Sequence, residues 1–374
     1  LFGGNALRAA EFKNVTQKYH HETVLENINM QIDTGVFAII FGPPGCGKSV
    51  LLRLLTGLET PTEGKIFMRE EDVTGVPSGE RSIGYVPQSF ALYPHFKVYE
   101  NISYPLRLIG AKKAEIDEAV KHAARMLRIT PLLEKYPDQL SGGEKQRVAL
   151  ARGITKKTGI YVFDDPLSGL DFKLREQLID DLREMQETLG ATFIYTTSDT
   201  LEAMILAEQI FILDGGRIRE HGSLEDMYYT PGNIRTMELL GFPESNVLTG
   251  ELLQRDGSFI CKTKLFDFSF KPAAGIILKE GRRTVSVGIR PQAVKPGLKK
   301  SKKTLSAEAR IILKEDLGGE FIVHLDVNGL RVLSFVRQDD LYLLSDEQIT
   351  IGIPMEEIVV FSSEDGTRIG RGGG

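Results

Sequence analysis

The stretch from Val36 to Leu58 constrains the fold of this chain more than any other. It opens with six apolar residues, VFAIIF at 36–41, a run that suits a strand covered on both faces inside a parallel sheet. GPPGCGKS follows at 42–49, and then Leu51, Leu54, Leu55 and Leu58 recur at helical spacing, with Gly57 near the end. A buried strand, a glycine-rich loop and a helix in that order form a cradle for phosphate groups. Gly42, Gly45 and Gly47 let backbone N–H groups turn inward, while Pro43, Pro44, Cys46 and Val50 complete the turn. Lys48 supplies positive charge for the β- and γ-phosphates, and the helix N-terminus adds a favourable dipole. Ser49 offers a hydroxyl to Mg²⁺, so ATP and Mg²⁺ are the expected ligands. Cys46 reads as a small filler of the loop rather than a reactive thiol.

The surrounding sequence supports a sheet with helices on its faces. From Glu11 to about Arg235 short apolar strands alternate with amphipathic helices. Ile160 to Phe163 and Phe193 to Tyr195 are two further buried strands, and Leu174, Leu178, Leu182, Met185 and Leu189 mark one helix face. The helical pattern from Lys112 to Arg128 interrupts the strand rhythm and places a helical insertion at about 89–155. After Thr230-Pro231-Gly232 the pattern turns to alternation, as in Phe321, Val323, Leu325 and Val327 before the tight turn Asn328-Gly329. The expected fold class is therefore α/β over residues 1–235, followed by a β-rich small barrel over 236–362. The glycine-rich tail at 363–374 reads as flexible.

Bulk properties exclude several classes. The 374 residues carry a formal net charge of −5, which gives no general attraction to nucleic acid. Two cysteines far apart indicate no disulfide framework and fit a reducing compartment. Six histidines without metal-ligand spacing argue against a zinc site. No apolar run approaches the ~18 residues that span a bilayer. The start, LFGGNALRAA, lacks the form of a signal peptide.

Two further motifs place chemistry. Ile160 to Phe163 ends in Asp164-Asp165, one acid for Mg²⁺ and the next for the attacking water. LSGGEKQR at 140–147 sets Ser141, Gly142, Gly143 and Glu144 at the start of a helix carrying Val148 and Leu150, a capped anion site. In order, Tyr19, GPPGCGKS, Gln88, LSGGEKQR, IYVFDDP, SGLD at 168–171 and TTSD at 196–199 resemble the ATP-binding subunit of ABC transporters. More narrowly, QSFALYPHFKVYENI at 88–102 and GIRPQAV at 288–294 are similar to the carbohydrate-uptake importers of that family, the maltose, sugar and glycerol-phosphate type.

The resemblance implies a P-loop NTPase (RecA-like) core with a helical subdomain, followed by an OB-like, TOBE-type barrel. It also implies roles. Tyr19 would stack on adenine, and Gln88 would touch Mg²⁺ and the attacking water while sensing the permease. Ser141 and Gly143 would bind the γ-phosphate of ATP held by the opposite subunit. Asp164 would hold Mg²⁺, Asp171 would couple the two sites, and Ala91 to Phe96 would line the groove for the permease's cytoplasmic helix.

The chain departs from the family pattern at its hydrolytic positions. Asp165 stands where the family has Glu, which retracts the carboxylate by roughly 1.5 Å. Ser198 replaces the family's switch histidine, and Val50 replaces a Thr that would contact the α-phosphate. Losing one such contact costs on the order of 10²–10³ in rate, and two losses do not simply multiply. The expectation is ATP binding with weak hydrolysis at this chain's own site, while the intact LSGGE serves a partner. That favours a heterodimer of unequal ATPase subunits over a homodimer.

The resemblance further implies two transmembrane permease subunits and, indirectly, an extracellular sugar-binding protein. The chain would lie peripherally on the cytoplasmic side of the membrane. Polyols, glycerol phosphates and oligosaccharides are all compatible cargoes. Two other readings stay open at this point: an ATP-dependent clamp without turnover, and a non-transport ABC ATPase. The run Lys299-Lys300-Ser301-Lys302-Lys303 reads as a solvated linker, not a nucleic-acid surface.

Overall fold

The computed structural model describes residues 7–255, 258–274, 276 and 282–373. The first residues of the chain and Gly374 lie outside that description. The chain divides into two compact units, with the boundary between Leu224 and Glu225.

The first unit opens with β1 (Arg8–Tyr19), β2 (Glu22–Asp33), β3 (Phe37–Phe41) and α1 (Lys48–Thr56). It continues through β4 (Glu63–Met68), β5 (Glu71–Asp72), β6 (Gly84–Val86), α2 (Val98–Leu108), α3 (Lys113–Met126) and α4 (Gly142–Thr155). Next come β7 (Ile160–Asp164), α5 (Phe172–Leu189), β8 (Thr192–Thr197), α6 (Thr200–Leu206), β9 (Gln209–Asp214) and β10 (Arg217–Gly222). The main sheet has the order β10-β9-β3-β8-β7-β6. All neighbours in it are parallel except β10, which pairs antiparallel with β9 at the edge. Every residue of β3, β7 and β8 is buried, as the unbroken apolar run of β3 and the apolar centres of β7 and β8 require. A smaller antiparallel sheet has the order β2-β1-β4-β5.

Helix α1 shows how the chain builds a firm base for the glycine loop. Leu51, Leu52, Leu54 and Leu55 are completely buried and join one core with Ile40, Val162 and Ile194. Each such leucine contributes roughly 1.5–3 kcal/mol relative to exposure. The helix ends at Gly57 in a left-handed conformation, φ 74°, whose N–H reaches the carbonyls of Arg53 and Leu54. Leu58, expected on the buried face, lies beyond that cap and is half exposed. Leu52 takes the buried place instead. Helices α2, α3 and α4 occupy the chain between β6 and β7.

The second unit, from Glu225, holds α7 (Leu224–Tyr229) apart from its first residue, and then α8 (Ile234–Leu239). Its strands are β11 (Asn246–Arg255), β12 (Ser258–Thr263), β13 (Asp267–Pro272), β14 (Arg283–Ile289), β15 (Lys295–Pro296) and β16 (Thr304–Asp316). They continue as β17 (Glu320–Val327), β18 (Leu330–Arg337), β19 (Gln348–Pro354), β20 (Ile358–Ser362) and β21 (Arg368–Gly372). β11-β12-β13-β21-β20-β14 close into a barrel, and β15-β19-β16-β17-β18 form a second sheet. Both contribute to one core, in which Val285, Val287, Val323, Leu325, Ile351 and Val360 are buried. The unit is thus larger than a single small barrel. At the β17–β18 hairpin, Asn328 and Gly329 have φ 54° and 78°, the pair of positive values that a two-residue turn needs.

The tail is not flexible as its composition suggested. β21 pairs with both β13 and β20 and closes the barrel. Ile369 is buried, and a side chain at Gly370 would stand 2.2 Å from the Lys271 carbonyl oxygen and 2.5 Å from the Phe270 ring. The glycines there permit close strand approach, which composition alone does not distinguish from looseness. Lys299, Lys300, Lys302 and Lys303 are exposed around a tight turn bridged by Ser301 and Thr304.

Candidate nucleotide site

The loop between β3 and α1 is held by backbone geometry and by its lysine. A Cβ at Gly42 would lie 2.0 Å from the Leu213 carbonyl oxygen, so glycine is required where the loop leaves the sheet. Gly47, φ 108°, caps α1 without any side-chain hydrogen bond, leaving the first N–H groups of the helix directed into the loop. The Lys48 ammonium donates to the carbonyls of Gly42 at 2.7 Å and Pro43 at 3.0 Å, and to Ser198 Oγ at 2.9 Å. Cys46 is buried, and burial outweighs the nearby Lys48 to push its thiol up. An unreactive filler is what that environment describes.

Asp164 ends β7, where it is buried, and its Oδ1 accepts from Ser49 Oγ and Thr196 Oγ1, each at 3.0 Å. Asp165 sits at φ 45°, an uncommon conformation for a residue with a side chain. Its N–H donates to the Thr196 carbonyl at 3.1 Å and to Thr196 Oγ1 at 3.0 Å, which holds the turn. Its Oδ2 receives a long contact, 3.4 Å, from Gln88 Nε2. Burial raises the Asp165 carboxyl above its ordinary value; Lys48 opposes that shift, and Asp164 and Asp199 add to it.

These groups face a cavity of about 630 Å³. Pro44, Gly45, Gly47, Lys48, Ser49, Val50, Gln88, Asp164, Asp165 and Ser198 all line it. So do Val24, Arg175 and Glu202, which sequence reasoning did not single out. Arg175 Nη1 donates to Asp199 Oδ2 at 2.7 Å and Nη2 to the Leu170 carbonyl at 3.2 Å. Glu202 accepts from Tyr195 Oη and Thr197 Oγ1, both at 2.7 Å, and burial raises its carboxyl. Arg175 stands one helical turn after Asp171, so helical spacing from SGLD was a signal that could have found it.

The donor set suits a hard divalent cation. Asp164, Asp165, Asp199 and Glu202 surround the cavity against Lys48 and Arg175, leaving negative charge in excess beside the Ser49 hydroxyl. Mg²⁺ commonly takes one or two carboxylates and completes its shell with phosphate oxygens and water. Ser49 and Asp164 are placed to contribute such oxygens, and no group of three or more His, Cys, Asp or Glu residues able to hold a metal ion occurs among the described residues.

Other expected site residues lie outside this cavity. Gly42 and Pro43 serve it through their carbonyls on Lys48. Tyr19, at the end of β1, donates its hydroxyl to Glu59, which also accepts from Arg53 at 2.5 Å. Ser141 and Glu144 form a reciprocal cap at the start of α4: Ser141 N–H donates to Glu144 Oε2 at 2.8 Å, and Glu144 N–H to Ser141 Oγ at 3.3 Å. Ser141 and Gly142 are exposed and Gly143 is buried. Asp171 caps α5 by accepting from the Leu174 N–H at 3.1 Å.

The ALYPHF segment lies mostly at the surface. Tyr93 is 41% exposed and packs with Phe96 and Tyr104, ring centroids 5.3 and 4.8 Å away. Arg152 anchors the segment from α4, donating to the carbonyls of Ala91 at 2.6 Å and Phe90 at 2.9 Å.

The model of the ABC transporter family matches residues 25–168. The chain is 35% identical over 360 residues to a maltose/maltodextrin import ATP-binding protein, MalK, of Vibrio parahaemolyticus, covering 96% of each. It is also 35% identical over 368 residues to MalK of Escherichia coli K12, covering 96% of this chain and 97% of that protein. Among solved structures, a dimeric post-hydrolysis state of an ATP-binding cassette with ADP and phosphate bound matches with a TM-score of 0.53 and 30% identity. The match covers 57% of this chain and 98% of that one.

Proposed function

The chain belongs to the ABC transporter ATP-binding family, and from that premise we propose that it is the motor subunit of a carbohydrate importer whose own ATP site is catalytically weak. It binds ATP with Mg²⁺ and hydrolyses it in coupling to transport. One observation carries the finer reading. Lys48, Ser49, Asp164 and Gln88 converge on one cavity, while the capped tip Ser141–Glu144 of the same chain lines none of it. A glycine-rich helix start with an exposed hydroxyl is an anion site in search of an anion. Its phosphate is then supplied by the neighbouring subunit, in a dimer closed by nucleotide.

In this reading Lys48 exchanges its carbonyl partners for the β- and γ-phosphates. Ser49 and Asp164 hold Mg²⁺, which would neutralise charge on the phosphates; Gln88 orients the attacking water, and Tyr19 meets the adenine. Asp165 is too short to draw a proton from that water efficiently, and Ser198 is bonded to Lys48, where a longer donor would reach phosphate. Weak hydrolysis here beside an intact LSGGE favours a heterodimer, whose partner carries the stronger residues. Two transmembrane permease subunits, met by the exposed Ala91–Phe96 segment, complete the importer on the cytoplasmic face of the membrane, and an extracellular sugar-binding protein feeds it. No helix among the described residues is long and apolar enough to cross a membrane. A clamp that binds ATP without turnover is the second reading, supported by the same two residues.

Gly142→Asp tests the shared site. A Cβ at Gly142 meets nothing within 4 Å, so folding is preserved, whereas at Gly143 it would lie 2.1 Å from Leu174 Cδ2. The carboxylate repels an approaching phosphate. The variant should bind a fluorescent ATP analogue normally and lose ATP-driven association in light scattering, both alone and with any sibling ATPase. Undiminished association would overturn the shared-site reading.

A further inference from the structure

The second unit buries a cation that has no counter-ion among the described residues. Arg290 follows β14 and is 8% exposed. Its Nη1 donates to the carbonyls of Met237 at 2.9 Å and Leu240 at 2.6 Å and to Ser245 Oγ at 3.0 Å. Nη2 donates to the Tyr228 carbonyl at 3.0 Å, and the guanidinium carbon stands 4.3 Å from the centre of the Tyr228 ring. The remaining donor, Nε–H, is buried and has no partner among the described residues. Burial lowers the guanidinium pKa to about 10, and no carboxylate offsets the loss of water. A buried charge in that condition is costly unless an anion joins it.

Arg290 lines a cavity of about 270 Å³, and Lys295, Arg368 and Arg371 line it as well. Arg368 uses one Nη1 donor on the Thr230 carbonyl at 3.0 Å. Among the described residues neither Lys295 nor Arg371 makes an ion pair. Four cationic side chains with free donors suit an anion with several oxygens, and guanidinium groups are the usual partners of phosphate.

Other lining groups ask for something besides phosphate. Gln292 Nε2 is satisfied by the Phe242 carbonyl at 2.9 Å, but its Oε1 is buried without a donor among the described residues. Exposed Glu356 and Glu357 stand at the rim and would repel a bare anion, though they accept readily from hydroxyl groups. Tyr228 and Tyr229 line the same cavity and pack edge-on against each other, with ring centroids 5.1 Å apart. The volume is below that of drug-sized pockets, so the occupant is small.

We propose that this cavity binds a phosphorylated monosaccharide, its phosphate among Arg290, Lys295, Arg368 and Arg371 and its hydroxyls on Gln292, Glu356 and Glu357. The site belongs to the second unit and is independent of how the nucleotide cavity works. A metabolite of that class bound there would make the second unit a sensor of intracellular sugar.

Calorimetric titration of the full chain tests this, with saturating MgADP present so that the glycine loop is already filled. Glucose 6-phosphate, inorganic phosphate and glucose are the three probes. Glucose 6-phosphate should bind at least tenfold more tightly than either of the others. Lys295→Ala with Arg371→Ala, both at exposed positions, should weaken it tenfold or more without shifting the thermal melt by more than a few degrees. Glu356→Gln with Glu357→Gln should narrow the preference over inorganic phosphate, since it weakens acceptance from the sugar hydroxyls and removes two charges that repel a bare anion; an unchanged preference would overturn the sugar assignment. Equal affinity for glucose 6-phosphate and inorganic phosphate would overturn the sugar assignment. No binding of either, or binding unchanged in the lysine–arginine double variant, would overturn the site.

Discussion

The weak-site reading makes a demanding prediction: Asp165→Glu combined with Ser198→His should raise ATP turnover by the chain alone. Asp165 Oδ2 lies 3.4 Å from Gln88 Nε2, a long contact, and an added methylene extends the carboxylate by about 1.5 Å toward the cavity. Ser198 is exposed, so an imidazole is accommodated there, and it reaches farther than the hydroxyl now bonded to Lys48 at 2.9 Å. One transition-state contact of this kind is worth about 10²–10³ in rate. The two groups act on one phosphoryl transfer, so their effects fall short of multiplying. The expected outcome is roughly a tenfold or greater gain in kcat for the double variant and a much smaller gain for either single change. Position 165 has φ 45°, which Asp tolerates better than Glu, so the exchange costs about 1 kcal/mol of stability. That loss should appear as a small drop in Tm, independent of the rate. The assay is phosphate release with Mg²⁺ and ATP at protein concentrations high enough for self-association. Unchanged turnover, with ATP affinity and association intact, would refute the claim that these two residues limit hydrolysis.

Two further outcomes follow from buried charge. Arg81 is 5% exposed and donates to the carbonyls of Leu54 and Leu55 at 2.8 Å and of Val76 at 2.7 Å, closing the C-terminal end of α1. Arg81→Met should cost about 3–5 kcal/mol in urea unfolding and weaken ATP binding, because α1 carries Lys48 and Ser49. A loss below about 1 kcal/mol would show that water replaces those donors. Asp165 gives a pH signature: its folded pKa is raised by burial above the ordinary 3.8, so the native state holds its proton more readily than the unfolded chain. Stability from this group is therefore greatest at low pH and declines as pH rises from 3.8 through the raised folded value. Asp165→Asn should raise the Tm of the nucleotide-free protein at pH 7, with the gain shrinking steadily toward pH 4. A gain independent of pH would exclude the desolvated carboxylate as its cause.

What could be read from the sequence was what depends on local order. The run from Phe37 to Phe41, the glycine loop and the leucines of α1 are contiguous, so period and composition gave strand, cradle and helix directly. Leu58 shows the limit of that reasoning, since its spacing fits the buried face while the Gly57 cap has already ended the helix. Asp164 was legible because a carboxylate that closes a buried strand must meet hydrogen-bond donors or a cation there. Val24 and Glu202 were not, because each reaches the cavity from an element whose placement depends on long-range packing.

The tail makes the same point in reverse. Glycine in a free terminus and glycine in a strand pressed against Phe270 have the same letter, and only the pairing of β21 with β13 and β20 separates them. Arg290 is the sharper instance. In sequence it was one letter of GIRPQAV, and spacing gave no reason to prefer it over any other surface arginine. The fold turns it inward, commits Nη1 and Nη2 to three backbone carbonyls and a serine, and leaves Nε–H facing no acceptor among the described residues. Chemistry of this kind arises from what tertiary packing fails to satisfy, and so it becomes visible only when the partners of each buried polar atom are known.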